Sequence, residues 1–177
     1  MCIRDRHGLA WLGATHALHI GLIETSAGDP AVGETRLREA RDVLAGLGDI
    51  WWVSAADGYL CTAVAAQDRP REFLRLADAF DETLLVPDRQ TLILRSLILS
   101  RAHLLRGAAA DAEVAARRGL ELAESSDLIL DHADALLALA EALDARGLQE
   151  DAKIARSEAA TLFRAKGHIA AIARPGG

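Results

Sequence analysis

The sequence predicts an all-α protein: a right-handed superhelical stack of about four antiparallel helical hairpins. Three observations predict it. First, Arg106-Gly107-Ala-Ala-Ala-Asp111-Ala112 returns as Arg146-Gly147-Leu-Gln-Glu-Asp151-Ala152, and the echo runs on at Val114/Ile154, Ala115/Ala155, Gly119/Ala159 and Leu122/Leu162. Self-similarity at one offset marks a stacked helical repeat. Second, helix-to-helix turns at Gly28-Asp29, Asp68-Arg69, Gly107-Ala108 and Gly147-Leu148 recur at spacings of 40, 39 and 40 residues. Third, 51% of the 177 residues are apolar yet only 4% are aromatic, and Ala and Leu dominate. That composition forms helices and lacks the β-branched and aromatic enrichment of strands.

The first hairpin spans about 7–46, opening on a helix with Leu9, Trp11 and Leu12. Asp29-Pro30 then supplies an N-cap followed by proline at the first helical position, where its missing N–H costs nothing. Gly48-Asp49 closes this hairpin and caps the second, at about 50–83; Pro87-Asp88 does the same for the third, at about 88–124. The fourth runs over about 127–165, and a further helix starts at His168, covering 168–174. Gly107, Gly147 and Gly167 stand where a left-handed residue ends a helix. The connections are short, so neighbouring helices run antiparallel. Residues 1–6, Met-Cys-Ile-Arg-Asp-Arg, read as a non-native leader, which places the repeat domain at 7–174. Both ends of the array read as uncapped, so self-association through them is expected.

Aligning the four turns exposes columns of small residues. Seven before the turn stand Gly21, Cys61, Ser100 and Ala140; five after it, Gly33, Phe73, Ala112 and Ala152; twelve after it, Ala40, Phe80, Gly119 and Ala159. Small side chains at such columns let two helix axes approach. Phe73 and Phe80 break the rule on one face, which predicts a splayed second hairpin or a register shifted there by one residue.

These columns resemble those of tetratricopeptide repeats, with a period of 39–40 residues instead of the usual 34 or so. A longer match is more specific. Ala27-Gly28-Asp29-Pro30, Thr91-Leu-Ile-Leu-Arg95-Ser96, Gly119-Leu-Glu-Leu-Ala-Glu124 and Ala133-Asp-Ala-Leu-Leu-Ala-Leu-Ala-Glu141 resemble the C-terminal repeat domain of large bacterial regulators. These are the ATPase-linked adenylate/guanylate cyclases and related transcriptional activators. The resemblance covers roughly residues 8–174 and implies a module of a larger signalling or transcriptional protein; nothing in the chain matches the cyclase or ATPase domains.

Composition narrows the function further. A net charge of -6 with mixed signs argues against a nucleic-acid surface. Two cysteines, Cys2 and Cys61, make neither a disulfide framework nor a zinc site and fit a reducing cytoplasm. The apolar run from Gly8 to Ile23 is broken by His16 and His19 and is too short to cross a membrane. Gly28-Asp-Pro-Ala-Val-Gly33-Glu34-Thr35 imitates a phosphate-binding loop, but Glu34 occupies the lysine position and a helix leads in. His16 and His19, three apart on a helix, could meet one metal with Glu24 or His7 as a third ligand. His103, His132 and His168 stand in different hairpins and assemble no triad, and no Ser or Cys sits in a nucleophile elbow.

The informative surface is a groove. In stacked hairpins the first helix of each pair lines the concave side, where such modules bind. The column six before each turn, Leu22, Thr62, Arg101 and Glu141, should face it. Leu94, Leu97 and Leu104 flank Arg101, and Asp134, Leu137 and Asp144 flank Glu141, so the groove turns from apolar to acidic. The plain alternative is a solvated face with an incidental Arg101–Glu141 pair. The reading assigns no catalytic residue, cofactor or metal. It expects a protein-interaction or interdomain module with a peptide, a protein or its own upstream domains as partner. Two other readings stay open: a small-molecule sensor controlling an absent ATPase or cyclase, and a metal enzyme using His16 and His19.

Overall fold

The computed structural model describes the backbone at 3–83 and 88–167 and the side chains at 8–82 and 88–167. The helix expected at 168–174 lies outside these residues, as does Pro87. Among the described residues the protein is all-α, with eight helices in four hairpins. They fall into two compact units divided between Val86 and Pro87.

The first unit holds α1 (Ile3–Ala27), α2 (Pro30–Gly46), α3 (Ile50–Ala65) and α4 (Pro70–Thr83). α1 begins within the stretch read as a leader. The Asp29 carboxylate accepts from Val32 N at the head of α2, with Pro30 in the first turn. Asp49 does two jobs. Its Oδ1 accepts from Trp52 N at 3.0 Å, capping α3, and its Oδ2 accepts from Trp11 Nε1 at 2.6 Å, tying that cap to α1. The core joins Ala14 and Leu18 of α1, Leu37, Ala40 and Leu44 of α2, and Ala56, Leu60 and Ala63 of α3.

The second unit holds α5 (Arg89–Leu105), α6 (Ala109–Glu124), α7 (Ile129–Ala145) and α8 (Gln149–Lys166). Asp88 caps α5, accepting from Thr91 N at 2.7 Å. The next three helices have Ala108, Leu128 and Leu148 at the cap and gain no side-chain hydrogen bond there. Their first turns carry Asp111, Asp131, and Glu150 with Asp151, whose charges oppose the positive end of the helix dipole. The core gathers Ala133, Leu136, Leu139, Ala140 and Leu143 of α7 against Ala152, Ala155, Ala159 and Phe163 of α8, with Ala116 of α6.

The turn column has one conformation throughout: φ is +105° at Gly28, +53° at Asp68, +75° at Gly107 and +77° at Gly147. A left-handed residue lets the chain reverse while the last carbonyls stay hydrogen-bonded, and glycine adopts it without a Cβ clash. Asp68 is the one non-glycine in that region among the described residues, and aspartate is among the few side chains that tolerate it.

All twelve residues of the three small columns are buried. Phe73 and Phe80 are buried with them, so the register of the second hairpin stands and no residue shift is needed. The rings are accommodated instead by separation: α3 and α4 touch along less of their length than the helices of the other three hairpins. Bulk at the close-approach positions moves axes apart, which is the splay that the two phenylalanines predict.

Candidate functional site

In the second unit, α5 and α7 lie side by side and bring the two predicted groove columns together. Arg101 Nη1 stands 3.7 Å from Glu141 Oε2. One turn back on each helix are Leu97 and Leu137, both half-buried, and a further turn back Leu94, half-buried, and Asp134, exposed. This gives a face of partly covered leucines edged with carboxylates. Asp144, at the far end, is drawn to Arg156 of α8. Arg101 Nε and Ser100 Oγ, beside this face, are buried with no hydrogen-bond partner. Leu22 and Thr62, the other members of the column, are half-buried in the first unit; the Thr62 hydroxyl donates to Tyr59 O at 2.7 Å.

The most developed polar chemistry in the fold holds it together. Glu34, buried on α2, accepts from Arg38 at 2.6 Å, from Arg69 at 2.5 Å and from Gln67 at 2.6 Å. Arg69 stands at the turn of the next hairpin and also grips Glu72. Glu113, buried on α6, accepts from Arg117 one turn on and from Arg146 at the next turn. These are one device used twice. The glutamate falls six after its turn, the first arginine ten after it, and the second arginine comes from the turn that follows. Each latch ties the second helix of one hairpin to the turn of the next. The composition hid it, because Glu34 was visible only as the wrong residue for a phosphate loop. The matching offsets of Glu34-Arg38 and Glu113-Arg117 were the available signal.

Hydrogen bonds from Arg146 and then Arg117 hold the Glu113 carboxyl below its ordinary value of 4.5. Burial pushes Glu34 up, but hydrogen bonds from Gln67, Arg38 and Arg69 outweigh it and leave that carboxyl lowered too. A carboxylate whose folded value is depressed stabilises the fold above its unfolded value and loses that contribution as pH falls through the folded one. Glu113→Gln should therefore cost about 0.5–1 kcal/mol at pH 7, a modest figure because both arginines are half-exposed. The deficit should shrink as pH falls below 4.5, as the parent is itself protonated. Urea unfolding of parent and variant at several pH values checks this; a deficit that is constant with pH would refute it.

The remaining candidates are accounted for by packing. Gly33, Glu34 and Thr35 lie inside α2, with Gly33 against α1, so the stretch from Gly28 forms no loop. His16 and His19 turn Nδ1 back to the carbonyls of Leu12 and Thr15, each at 2.7 Å. The His19 ring also stands edge-on to Trp52, 5.6 Å between centroids. Glu24 is held bidentately by Arg36, at 2.9 Å through both oxygens. Among the described residues no group of three or more His, Cys, Asp or Glu could hold a metal ion. Burial, with the Asp57 charge beside it, pushes the Cys61 thiol up to about 12, so it is inert at neutral pH. No described helix is long and apolar enough to cross a membrane.

One open cleft of about 330 Å³ lies between α2, α3 and α4. Leu60 and Phe80 form its apolar side; Arg38, Arg41, Arg75 and Asp57 form its polar side. Arg41 is already engaged, Nε donating to Asp57 Oδ1 at 2.5 Å.

The fold and this distribution of chemistry define a class: a helical-hairpin array whose charged clusters are structural and whose free features are faces. Set against known proteins, the chain matches no family model and no curated sequence.

Proposed function

We propose that this chain is a protein-interaction module that docks an amphipathic, basic segment on the α5/α7 face. The observation that carries the reading is the juxtaposition on that face of half-covered leucines with Asp134 and Glu141, joined by the loose 3.7 Å Arg101–Glu141 pair. Partly buried leucines offer area that a partner's apolar side would cover, and the carboxylates favour lysine or arginine beside it. An exposed pair at that distance contributes little to stability, so Glu141 can exchange Arg101 for a partner's cation at small cost. The resemblance to bacterial cyclase-linked and transcriptional regulators makes an upstream domain of the same polypeptide, or a signalling protein, the natural source of such a segment. In this reading the chain has no catalysis of its own.

The test is fluorescence anisotropy with a leucine/lysine amphipathic peptide and a leucine/glutamate counterpart. The basic peptide should bind saturably. Glu141→Arg with Asp134→Arg should weaken it by about 10-fold or more, since reversing two rim charges costs on the order of 1.4 kcal/mol at least. Equal binding of both peptides, or indifference to the charge reversal, would overturn the reading.

The α2–α4 cleft gives the sensor reading its one specific support, a ligand-sized space with arginines beside an apolar wall. A small aromatic carboxylate such as benzoate that raises the melting temperature of the chain, but not of an Arg75→Ala variant, would favour it. No shift in either would count against it.

A further inference from the structure

We infer that the cleft between α2, α3 and α4 is a site for a small organic monoanion, a carboxylate carried on a ring-sized apolar body. The inference rests on the sensor reading and deepens it; the α5/α7 face plays no part in it.

The internal repeat shows what is unusual about the place. Counted from their turns, Arg41 of α2 and Asp57 of α3 correspond to Leu120 of α6 and Leu136 of α7. In the second unit Leu136 is buried, and Leu120 packs against the cluster that also holds Leu139, Ala155 and Ala159. The fold can therefore close this joint with leucine alone. In the first unit the same two positions hold an ion pair, Arg41 Nε donating to Asp57 Oδ1 at 2.5 Å. Across from it, Ala159 is replaced by Phe80 and Ile154 by Arg75. Where the second unit packs leucine, the first opens a space of about 330 Å³. An Arg–Asp pair drawn partly out of water stabilises a fold no better than the apolar side chains that could replace it. Packing thus gives no reason for charge at this joint, whereas a ligand does.

The donors on the polar side say which ligand. Arg41 uses Nε and Nη2 on Asp57, and Arg38 uses Nε and Nη2 on Glu34 and Glu72. Both guanidiniums are held in place, and each keeps its Nη1. That of Arg41 stands 3.9 Å from Asp42 Oδ1, too far for a hydrogen bond. Arg75, exposed on α4, has no hydrogen-bond or ion-pair partner among the described residues. Its planar fork matches a carboxylate, and as the one unengaged arginine of the lining it sets the ligand's charge at a single negative. Leu60, Leu76 and Phe80 supply the wall for an apolar body. A cavity of about 150 Å³ can already hold benzene, so a ring bearing a carboxylate has room here. Such an occupant would touch α2 through Arg41 and α4 through Arg75, bridging the splayed second hairpin to the first.

The experiment is a titration of the full chain with benzoate, benzyl alcohol and benzylammonium, followed by amide chemical shifts. Benzoate should bind saturably with a dissociation constant on the order of 1 mM, its shifts centred on Arg41, Leu60 and Arg75. The neutral and cationic probes should bind at least about 10-fold more weakly. Arg75→Gln should weaken benzoate by about 10-fold and, at an exposed position, keep the parent's circular dichroism. Arg41→Leu with Asp57→Leu rebuilds the leucine joint of the second unit; it should melt no lower than the parent and weaken benzoate by about 10-fold or more. Benzyl alcohol or benzylammonium binding as tightly as benzoate would overturn the anion site and leave the sensor reading standing. Benzoate binding unchanged in either variant, or a leucine pair less stable than the parent, would also overturn it. No saturable shift from any probe up to about 20 mM would sink this proposal and the sensor reading together.

Discussion

Gly33→Ala should destabilise the first unit by about 2–4 kcal/mol, although alanine is the better helix former by about 1 kcal/mol. A Cβ at Gly33 would stand 2.6 Å from Gly21 O and 3.1 Å from Thr25 N, and would also strike Thr25 Oγ1. A hydroxyl can rotate away, but a carbonyl inside α1 cannot. Thr25 Oγ1 moreover donates to that same Gly21 carbonyl at 2.8 Å. Relief requires α1 and α2 to separate along their whole contact, uncovering Leu18, Leu37 and Leu44, which are fully buried. Thr25→Ala should therefore fail to rescue the variant. Gly46→Ala is the control: nothing lies within 4 Å of a Cβ there, its backbone is helical, and the change should stabilise by up to about 0.5 kcal/mol or so. Urea unfolding of the three variants decides it. A Gly33→Ala chain as stable as the parent would mean that α1 and α2 do not cross at these glycines.

Much of this was legible because it rests on steric minima that few residues can satisfy. A tight reversal between helices needs a left-handed residue, so Gly28, Gly107 and Gly147 announced the turns, and aspartate stood in at 68 without disguising the period. Close helix approach needs small residues, so the columns at Gly21, Ala112 and Ala152 were readable as well. Phe73 and Phe80 could not be resolved on paper, because bulk at a joint is met either by slipping register or by moving axes apart. The volumes of neighbouring side chains decide between the two. The Arg101–Glu141 pair was foreseeable, since equal columns on α5 and α7 come side by side in a hairpin stack. The Glu34 and Glu113 latches were not. Their second arginines lie 35 and 33 residues away, so the Glu-Arg spacing of four shows only half of each latch in the sequence.

Ala152→Leu should cost the second unit about 2–3 kcal/mol, and Ala112→Leu a similar amount, while Ala110→Leu should stay within about 0.5 kcal/mol. Alanine and leucine differ little in helix propensity, so what surrounds each Cβ decides the result. Ala152 is fully buried in the cluster that contains Leu136, Leu139, Ala140 and Leu143 of α7 and Ala155 and Ala159 of α8. Three added carbons there have no void to enter, and α7 and α8 must part along a joint made mostly of alanine. Ala112, equally buried, holds the same place in the hairpin of α5 and α6. Ala110 lies two residues away, about 200° around the helix, and is exposed. The cost at 152 should also fall mainly on the unfolding rate of the second unit, if the α7–α8 joint closes late in folding. Equilibrium urea unfolding of the three variants beside the parent gives the ordering. Equal effects at 110, 112 and 152 would show that the repeat register is wrong, and with it the placement of Arg101 and Glu141 on a shared face.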